Sequence, residues 1–208
     1  MKKILITAGP TKEKIDPVRF ISNNSSGKMG YAIAEVAKAK GFDVTLISGP
    51  TNLQKPSVEI IDIESAAEMA NAVYANAESA DIIIMAAAVA DYTPKKKFEN
   101  KMKKVKGNLS LELERTEDIL ATLGKNKKDE QILIGFAAET ENLLNNAEQK
   151  LNKKNLDWII ANDISKKGQG FQSDKNEITM ISKDGKKTNF PLDTKLEIAE
   201  KILKTIGV

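Results

Sequence analysis

The 208-residue sequence predicts one doubly wound α/β domain with a mostly parallel sheet. Two observations lead there. Short apolar, β-branched runs alternate with helix-period segments almost to the end of the chain, the pattern of successive βα units. The strands are also apolar on consecutive residues, as in Ile82-Ile-Ile-Met-Ala86, so both sheet faces need helices over them. The length suits one well-buried domain, taken as residues 1–208.

In order, the predicted strands are Ile4–Thr7, Val44–Ser48, Val58–Ile63, Asp81–Ala87, Gln131–Phe136 and Asp157–Ala161, each too short and too β-branched for a buried helix. Glu177–Ser182 is an additional C-terminal strand. Helices are predicted over Lys28–Lys40, Ser65–Ala77, Thr116–Gly124, Glu141–Asn155 and Thr194–Ile206. Two stretches fit no simple βα unit. Residues Asp91–Asn108 are rich in lysine and long for a connection, which marks a functional flap or a disordered segment. Asp163–Asn176 form a second Gly- and Lys-rich loop.

Composition narrows the chemistry. The chain contains no Cys and no His, which excludes disulfides, thiolate nucleophiles, zinc–cysteine sites and Ser-His-Asp catalysis. An enzyme built this way works with Lys, Arg, Asn, carboxylates, backbone dipoles or Mg²⁺. A net charge of +3, without a basic stripe interleaved by aromatics, argues against nucleic acid as a partner. No apolar run reaches membrane-spanning length and no signal peptide precedes the first strand, so a cytoplasmic protein without a membrane partner is expected. Of the 32 basic residues only two are Arg, Arg19 and Arg115. A surviving Arg in a Lys-rich chain marks either a need for planar, bidentate contact or chance retention in a surface pair.

The richest segment is Ile21-Ser-Asn-Asn-Ser-Ser-Gly-Lys-Met-Gly30, between the first strand and the first helix. Free N–H groups at a helix start, with Ser25, Ser26 and Gly27, make an anion site suited to phosphate. Thr7-Ala-Gly-Pro-Thr11 takes the place of a dinucleotide fingerprint without being G-x-G-x-x-G. Ser48-Gly49-Pro50 stands where an acidic residue would hold a ribose, and both departures disfavour NAD. Gly27-Lys28 lacks the rest of a P-loop, and Pro94 breaks the Tyr92…Lys96 pair that would suggest a short-chain dehydrogenase. The Ala86–Ala90 run permits close helix–sheet packing, or a flat base or ribose approaching the backbone, with Asp91 on sugar hydroxyls or Mg²⁺. Lys101-Met-Lys-Lys104 is either a solvated surface or a set of cations closing over phosphates. Phe136 suits the core equally well, and Lys150 and Lys154 suit one exposed helix face.

Taken in order, these motifs resemble the bacterial phosphopantothenate–cysteine ligase family of coenzyme A biosynthesis. The match also includes Asp16-Pro-Val-Arg-Phe-Ile-Ser-Asn23, Ala87-Ala-Val-Ala-Asp-Tyr92, Gly135-Phe-Ala-Ala-Glu-Thr140, Ala161-Asn-Asp163 and Gly170-Phe-x-Ser-Asp174, across nearly the whole chain. The resemblance implies a Rossmann-like fold and a stand-alone ligase or an excised ligase domain, without the flavin-dependent decarboxylase to which such domains are often fused; a separate decarboxylase is a possible partner. It implies formation of 4′-phosphopantothenoyl-L-cysteine from 4′-phosphopantothenate, L-cysteine and CTP, through an acyl-cytidylate. Pyrophosphate and CMP are the by-products, and Mg²⁺ or Mn²⁺ the cofactor. By the same resemblance Lys101 neutralises charge during activation, Asn23 holds the acyl-cytidylate, and Arg19 contacts the intermediate or assists with cysteine. The nucleotide positions are Ala86, Ala87, Ala88, Asp91, Glu117, Asp118, Ile119, Leu120, Phe136, Lys150 and Lys154, with Ser26, Gly27, Lys28, Met29 and Gly30 at the phosphates. Thr116-Glu-Asp118 departs from the Asn-Pro-Asp that relatives often carry. The family also implies a homodimer, with the 91–108 flap reaching towards the partner. The rivals are an NAD(P)-linked oxidoreductase and a non-catalytic nucleotide sensor.

Overall fold

A computed structural model describes residues 1–104, 107–139, 141–163 and 172–208. Its elements in chain order are β1 (Lys3–Ala8), β2 (Lys12–Lys14), β3 (Phe20–Ser22), α1 (Lys28–Ala39), β4 (Asp43–Ser48), β5 (Glu59–Asp62), α2 (Ala66–Ala77), β6 (Ile82–Met85), β7 (Tyr92–Pro94) and β8 (Leu113–Arg115). They continue with α3 (Ile119–Asn126), β9 (Ile132–Glu139), α4 (Leu143–Lys153), β10 (Trp158–Asp163), β11 (Lys175–Ser182), β12 (Lys187–Thr194) and α5 (Lys195–Thr205).

The main sheet has eight strands in the order β5-β4-β1-β6-β9-β10-β11-β12. From β5 to β10 every pairing is parallel, and β11 and β12 add an antiparallel hairpin. The order reverses between β1 and β6, which opens a crevice at their C-terminal ends. Alternation along β1 serves both layers. Ile4, Ile6 and Ala8 pack beneath α1 and α5, while Leu5 joins the layer of α2, α3 and α4 on the opposite face. The doubly wound expectation therefore holds, with a two-strand C-terminal addition where one was expected.

Three helices start on side-chain caps. The Ser65 hydroxyl accepts from the Glu68 N–H (3.2 Å), Asp118 from Ala121 (3.0 Å) and Thr194 from Glu197 (3.3 Å). The α1 N-terminus has no side-chain cap: Gly27 precedes it at φ +79°. The expected flap is anchored at its base by a small ribbon, in which β7 and β8 pair with Tyr92 opposite Arg115. A second short ribbon, β2 with β3, lies between β1 and α1.

Candidate active site

The crevice is stitched by the motifs that border it. The Thr7 hydroxyl accepts from the Ala87 N–H (3.2 Å), and the Gly9 carbonyl accepts from the Ala88 N–H (2.9 Å). Thr11 donates its N–H to the Ala88 carbonyl (3.3 Å) and accepts from the Ala90 N–H through its hydroxyl (3.0 Å). Both threonines are fully buried. The Thr-Ala-Gly-Pro-Thr turn thus holds the alanine run as an ordered backbone ledge beyond β6. Asn23 leans on this ledge, donating from Nδ2 to the carbonyls of Ala88 (3.0 Å) and Val89 (3.1 Å). Both amide hydrogens are engaged, while Oδ1 accepts no bond among the described residues and is available to a donor.

Beside the ledge lies a cavity of about 410 Å³, within the range of small-molecule sites. Its floor includes Met85, Ala87 and Val89, and Tyr92 and Arg115 from the flap base close one side. Asp91, Phe136, Lys150 and Lys154 line it together with the Thr116–Leu120 turn. Thr116 ties that turn to the ledge, through its hydroxyl to the Ala90 carbonyl (2.6 Å) and its N–H to the Asp91 carbonyl (3.0 Å). Lys150 donates to the Phe136 carbonyl (2.7 Å), and Lys154 pairs with Asp118 (2.9 Å). Burial pushes the Asp118 carboxyl up, but the Lys154 ammonium, the Ala121 N–H and Lys150 outweigh it, so Asp118 titrates below its ordinary value. Glu117 accepts from the Tyr74 hydroxyl (2.6 Å) and the Thr122 hydroxyl (3.3 Å). Burial, reinforced by Glu117, raises Tyr74 to about 12 and keeps that hydroxyl a donor.

Of the alanines singled out in sequence, Ala87 lines this cavity and Ala86 and Ala88 do not. Asp91, Glu117, Asp118, Ile119, Leu120, Phe136, Lys150 and Lys154 all come together in it. The Ser26–Gly30 segment stands apart, at the start of α1. Gly27 and Gly30 are there for close approach: a Cβ on Gly27 would meet the Thr51 methyl at 2.8 Å, and one on Gly30 the Ala8 Cβ at 2.6 Å. Lys28 donates to Asp174 (2.6 Å) and to the Gln172 carbonyl (2.9 Å), and lines a separate recess of about 380 Å³ with Tyr31 and Lys195. Met29 packs against the α1-side core, and its sulfur receives Nδ2 of the buried Asn176 at 4.0 Å.

Arg19 bonds Asp16 through Nε (2.9 Å) and Nη2, and Nη2 also donates to the carbonyl of Met102 (3.0 Å) in the flap. Lys101, the neighbouring residue, is exposed and has no partner among the described residues. The motif residues Thr140, Gly170 and Phe171 lie outside the described residues. Sequence reasoning left Tyr92, Arg115 and Asp16 out of the site. For Arg115 a signal existed, since it is one of only two arginines. For a divalent ion, no group of three or more carboxylate, His or Cys ligands converges among the described residues. Asp91 is the cavity carboxylate with no partner among them. One free carboxylate suits Mg²⁺ carried on phosphate oxygens rather than a closed protein cage.

Comparison with known proteins agrees with this architecture. Residues 1–207 match the family model described as the DNA/pantothenate metabolism flavoprotein C-terminal domain. The chain is 52% identical over 208 residues to the coenzyme A biosynthesis bifunctional protein CoaBC of Bacillus subtilis, covering 99% of this chain and 51% of that protein. It therefore spans about half the length of that curated relative. The crystal structure of the C-terminal domain of a coenzyme A biosynthesis bifunctional protein CoaBC superposes with a TM-score of 0.83 at 51% identity, over 99% of this chain and 93% of that one. A Cab2 H337A mutant in complex with phosphopantothenate-cysteine shares the fold, with a TM-score of 0.80 at 18% identity over 98% of this chain and 86% of that one. The chain belongs to the family of DNA/pantothenate metabolism flavoprotein C-terminal domains.

Proposed function

We propose that this domain is a phosphopantothenate–cysteine ligase of coenzyme A biosynthesis, working in the cytoplasm as a homodimer and using CTP. Support comes from the family and from the CoaBC relatives. The observation that carries the nucleotide assignment is the single cavity uniting Ala87, Asp91, the Glu117–Leu120 turn, Phe136, Lys150 and Lys154. It has an apolar floor, and the flap base, which leads to Lys101, forms one side.

In the first half-reaction a carboxylate oxygen of 4′-phosphopantothenate attacks the α-phosphorus of CTP. The bond to the β-phosphate oxygen breaks, pyrophosphate leaves with that electron pair, and an acyl-cytidylate forms. In the second, the cysteine amine attacks the acyl carbon, CMP leaves, and the amine loses a proton as the amide forms. Neither step needs a covalent enzyme intermediate, which suits a chain without Cys or His. Lys101 neutralises the charge that grows on the phosphates. Asn23, whose amide hydrogens are held by the ledge, presents Oδ1 to an N–H of the bound intermediate or of the incoming amine. When bound, Mg²⁺ or Mn²⁺ would screen the triphosphate, and Asp91 would help to hold it or meet the sugar hydroxyls.

The test is pyrophosphate release with phosphopantothenate, comparing CTP with ATP, with and without cysteine. CTP-favoured release, with amide appearing only on addition of cysteine, is the expected result. Lys101→Gln should stay folded and release no pyrophosphate. Asn23→Asp should release pyrophosphate and stall before the amide. Folded protein that releases none with either nucleotide would overturn the proposal in favour of a nucleotide-binding module.

A further inference from the structure

Asp16 is an unusual carboxylate for a surface turn: it is 2% exposed and accepts bonds on both oxygens. Oδ1 shapes the local turn, receiving the N–H groups of Val18 (2.8 Å) and Arg19 (2.8 Å). Oδ2 reaches elsewhere. It receives the Arg19 guanidinium and, at 3.1 Å, the N–H of Met102, which lies 86 residues further along the chain. The same guanidinium donates to the Met102 carbonyl (3.0 Å). Met102 is therefore gripped at both its N–H and its C=O, and a second tie joins the Phe98 N–H to the Ile15 carbonyl (2.9 Å).

A turn of this kind needs only Oδ1. Burying a charged carboxylate is costly unless its other lone pairs are also met, and here they are met by the Arg19 guanidinium together with the flap. The Arg19 side chain, with help from the N–H groups of Val18, Met102 and Arg19, holds the Asp16 carboxyl well below the ordinary carboxylate range. The connection is thus anionic throughout the neutral range. The residue immediately before this doubly held position is Lys101.

We infer that Asp16 is a positioning residue for Lys101: through Arg19 and Met102 it latches the flap so that the Lys101 ammonium is in place before substrate arrives. The role given to Lys101 rests on the proposed ligase activity, whereas the latch stands on geometry alone. In this arrangement one guanidinium edge of Arg19 is committed to the flap, which gives that arginine work beyond contact with the intermediate.

Asp16→Asn separates the two duties. An Asn side-chain oxygen can still accept from Val18 and Arg19, but the amide nitrogen cannot accept from Met102 or Arg19. Met102→Pro is the complementary variant: it removes the N–H that meets Oδ2 and leaves the Asp16 turn intact, while its ring also restricts the backbone of Lys101, so tryptic cleavage is its primary readout. Each is compared with wild type by the rate of tryptic cleavage after Lys103 and Lys104 and by pyrophosphate release. Both variants are expected to be cleaved about tenfold faster and to lose about tenfold in kcat with little change in KM for CTP, as for a group acting in the transition state. Unchanged cleavage in Met102→Pro overturns the latch, even if Asp16→Asn proves unstable. Faster cleavage with unchanged kcat overturns the positioning of Lys101. Faster cleavage in a protein whose wild type releases no pyrophosphate upholds the latch and instead removes the ligase reading.

Discussion

Gly30→Ala tests whether the Ser-Ser-Gly-Lys-Met-Gly segment owes its second glycine to packing. The added Cβ would lie 2.6 Å from the Ala8 Cβ, 3.0 Å from the Thr7 carbonyl oxygen and 3.2 Å from the Ala8 Cα. These neighbours belong to β1, in the middle of the sheet, and both residues are fully buried, so no flexible side-chain end can swing aside. Carbon atoms prefer separations of about 3.5–4.0 Å, so the start of α1 must withdraw by roughly 1 Å. Overpacking of this kind costs about 1–3 kcal/mol. Alanine's helix propensity returns at most about 1 kcal/mol at this third helical position. A net loss of about 1–2 kcal/mol corresponds to roughly 2–8 °C in Tm for a domain of this size. The assay is thermal unfolding without ligand, repeated for Ala8→Gly and for Ala8→Gly/Gly30→Ala. Removing the Ala8 methyl should make the alanine at position 30 less costly, a coupling that a double-mutant cycle reads directly. An unchanged or raised Tm in Gly30→Ala, or strict additivity in the cycle, would refute the packing account and leave that space to a ligand.

Lys154→Met removes the ammonium that holds Asp118, so KM for CTP should rise several-fold, and the Asp118 pKa, followed by carboxyl NMR, should climb. Lys127 and Asp157 pair at 2.7 Å with side chains only 10% and 13% exposed. Lys127→Met leaves that carboxylate to the Leu133 N–H and the more distant Lys183, and denaturant unfolding should show a loss of about 3 kcal/mol. Lys195 is lowered from 10.5 to about 8, first by burial and then by Lys28, against the opposing pull of Asp174. Between those values the unfolded chain binds more protons than the folded one, so this group makes stability rise with pH across that window. Lys195→Met should flatten the rise and add on the order of 1 kcal/mol at pH 7, allowing for solvent screening, as read from unfolding curves at a series of pH values.

The parallel core was legible because its strands are apolar on consecutive residues and its helices keep a clean period. The edges were harder. The β12 strand contains Pro191, which in sequence argues against a strand; at the rim of the sheet a missing N–H costs no ladder bond. The ribbons β2–β3 and β7–β8 are built from three-residue strands, too short to show any period. Individual residues were readable by type but not by engagement. Lys28 looked like a phosphate cation, and its ammonium meets Asp174, 146 positions away. Asp16 opens a matched motif that gives it no role of its own, while its second oxygen serves the flap. Such pairings depend on the tertiary register, which local pattern does not encode.

The state of the candidate lysines bears on how a chain with no imidazole or thiol could accelerate the proposed acyl activation. Lys150 is anchored on the Phe136 carbonyl, Lys154 on Asp118 and Lys28 on Asp174. These cations are already oriented, and their field is present before any nucleotide binds, which is the condition for electrostatic stabilisation without reorganisation. Lys154 and Lys28 are also partly neutralised by their carboxylate partners, whereas the carbonyl beneath Lys150 orients its charge without cancelling it. Lys101 differs: its side chain is exposed and has no partner among the described residues, while the peptide that follows it is held from both ends. In the proposed reaction, an ammonium on a fixed backbone favours the transition state over the ground state, because its strongest contact can be reserved for charge that appears only as pyrophosphate leaves. On these grounds neutralising Lys101 should lower kcat far more than it raises KM for CTP, whereas neutralising Lys154 should do the reverse.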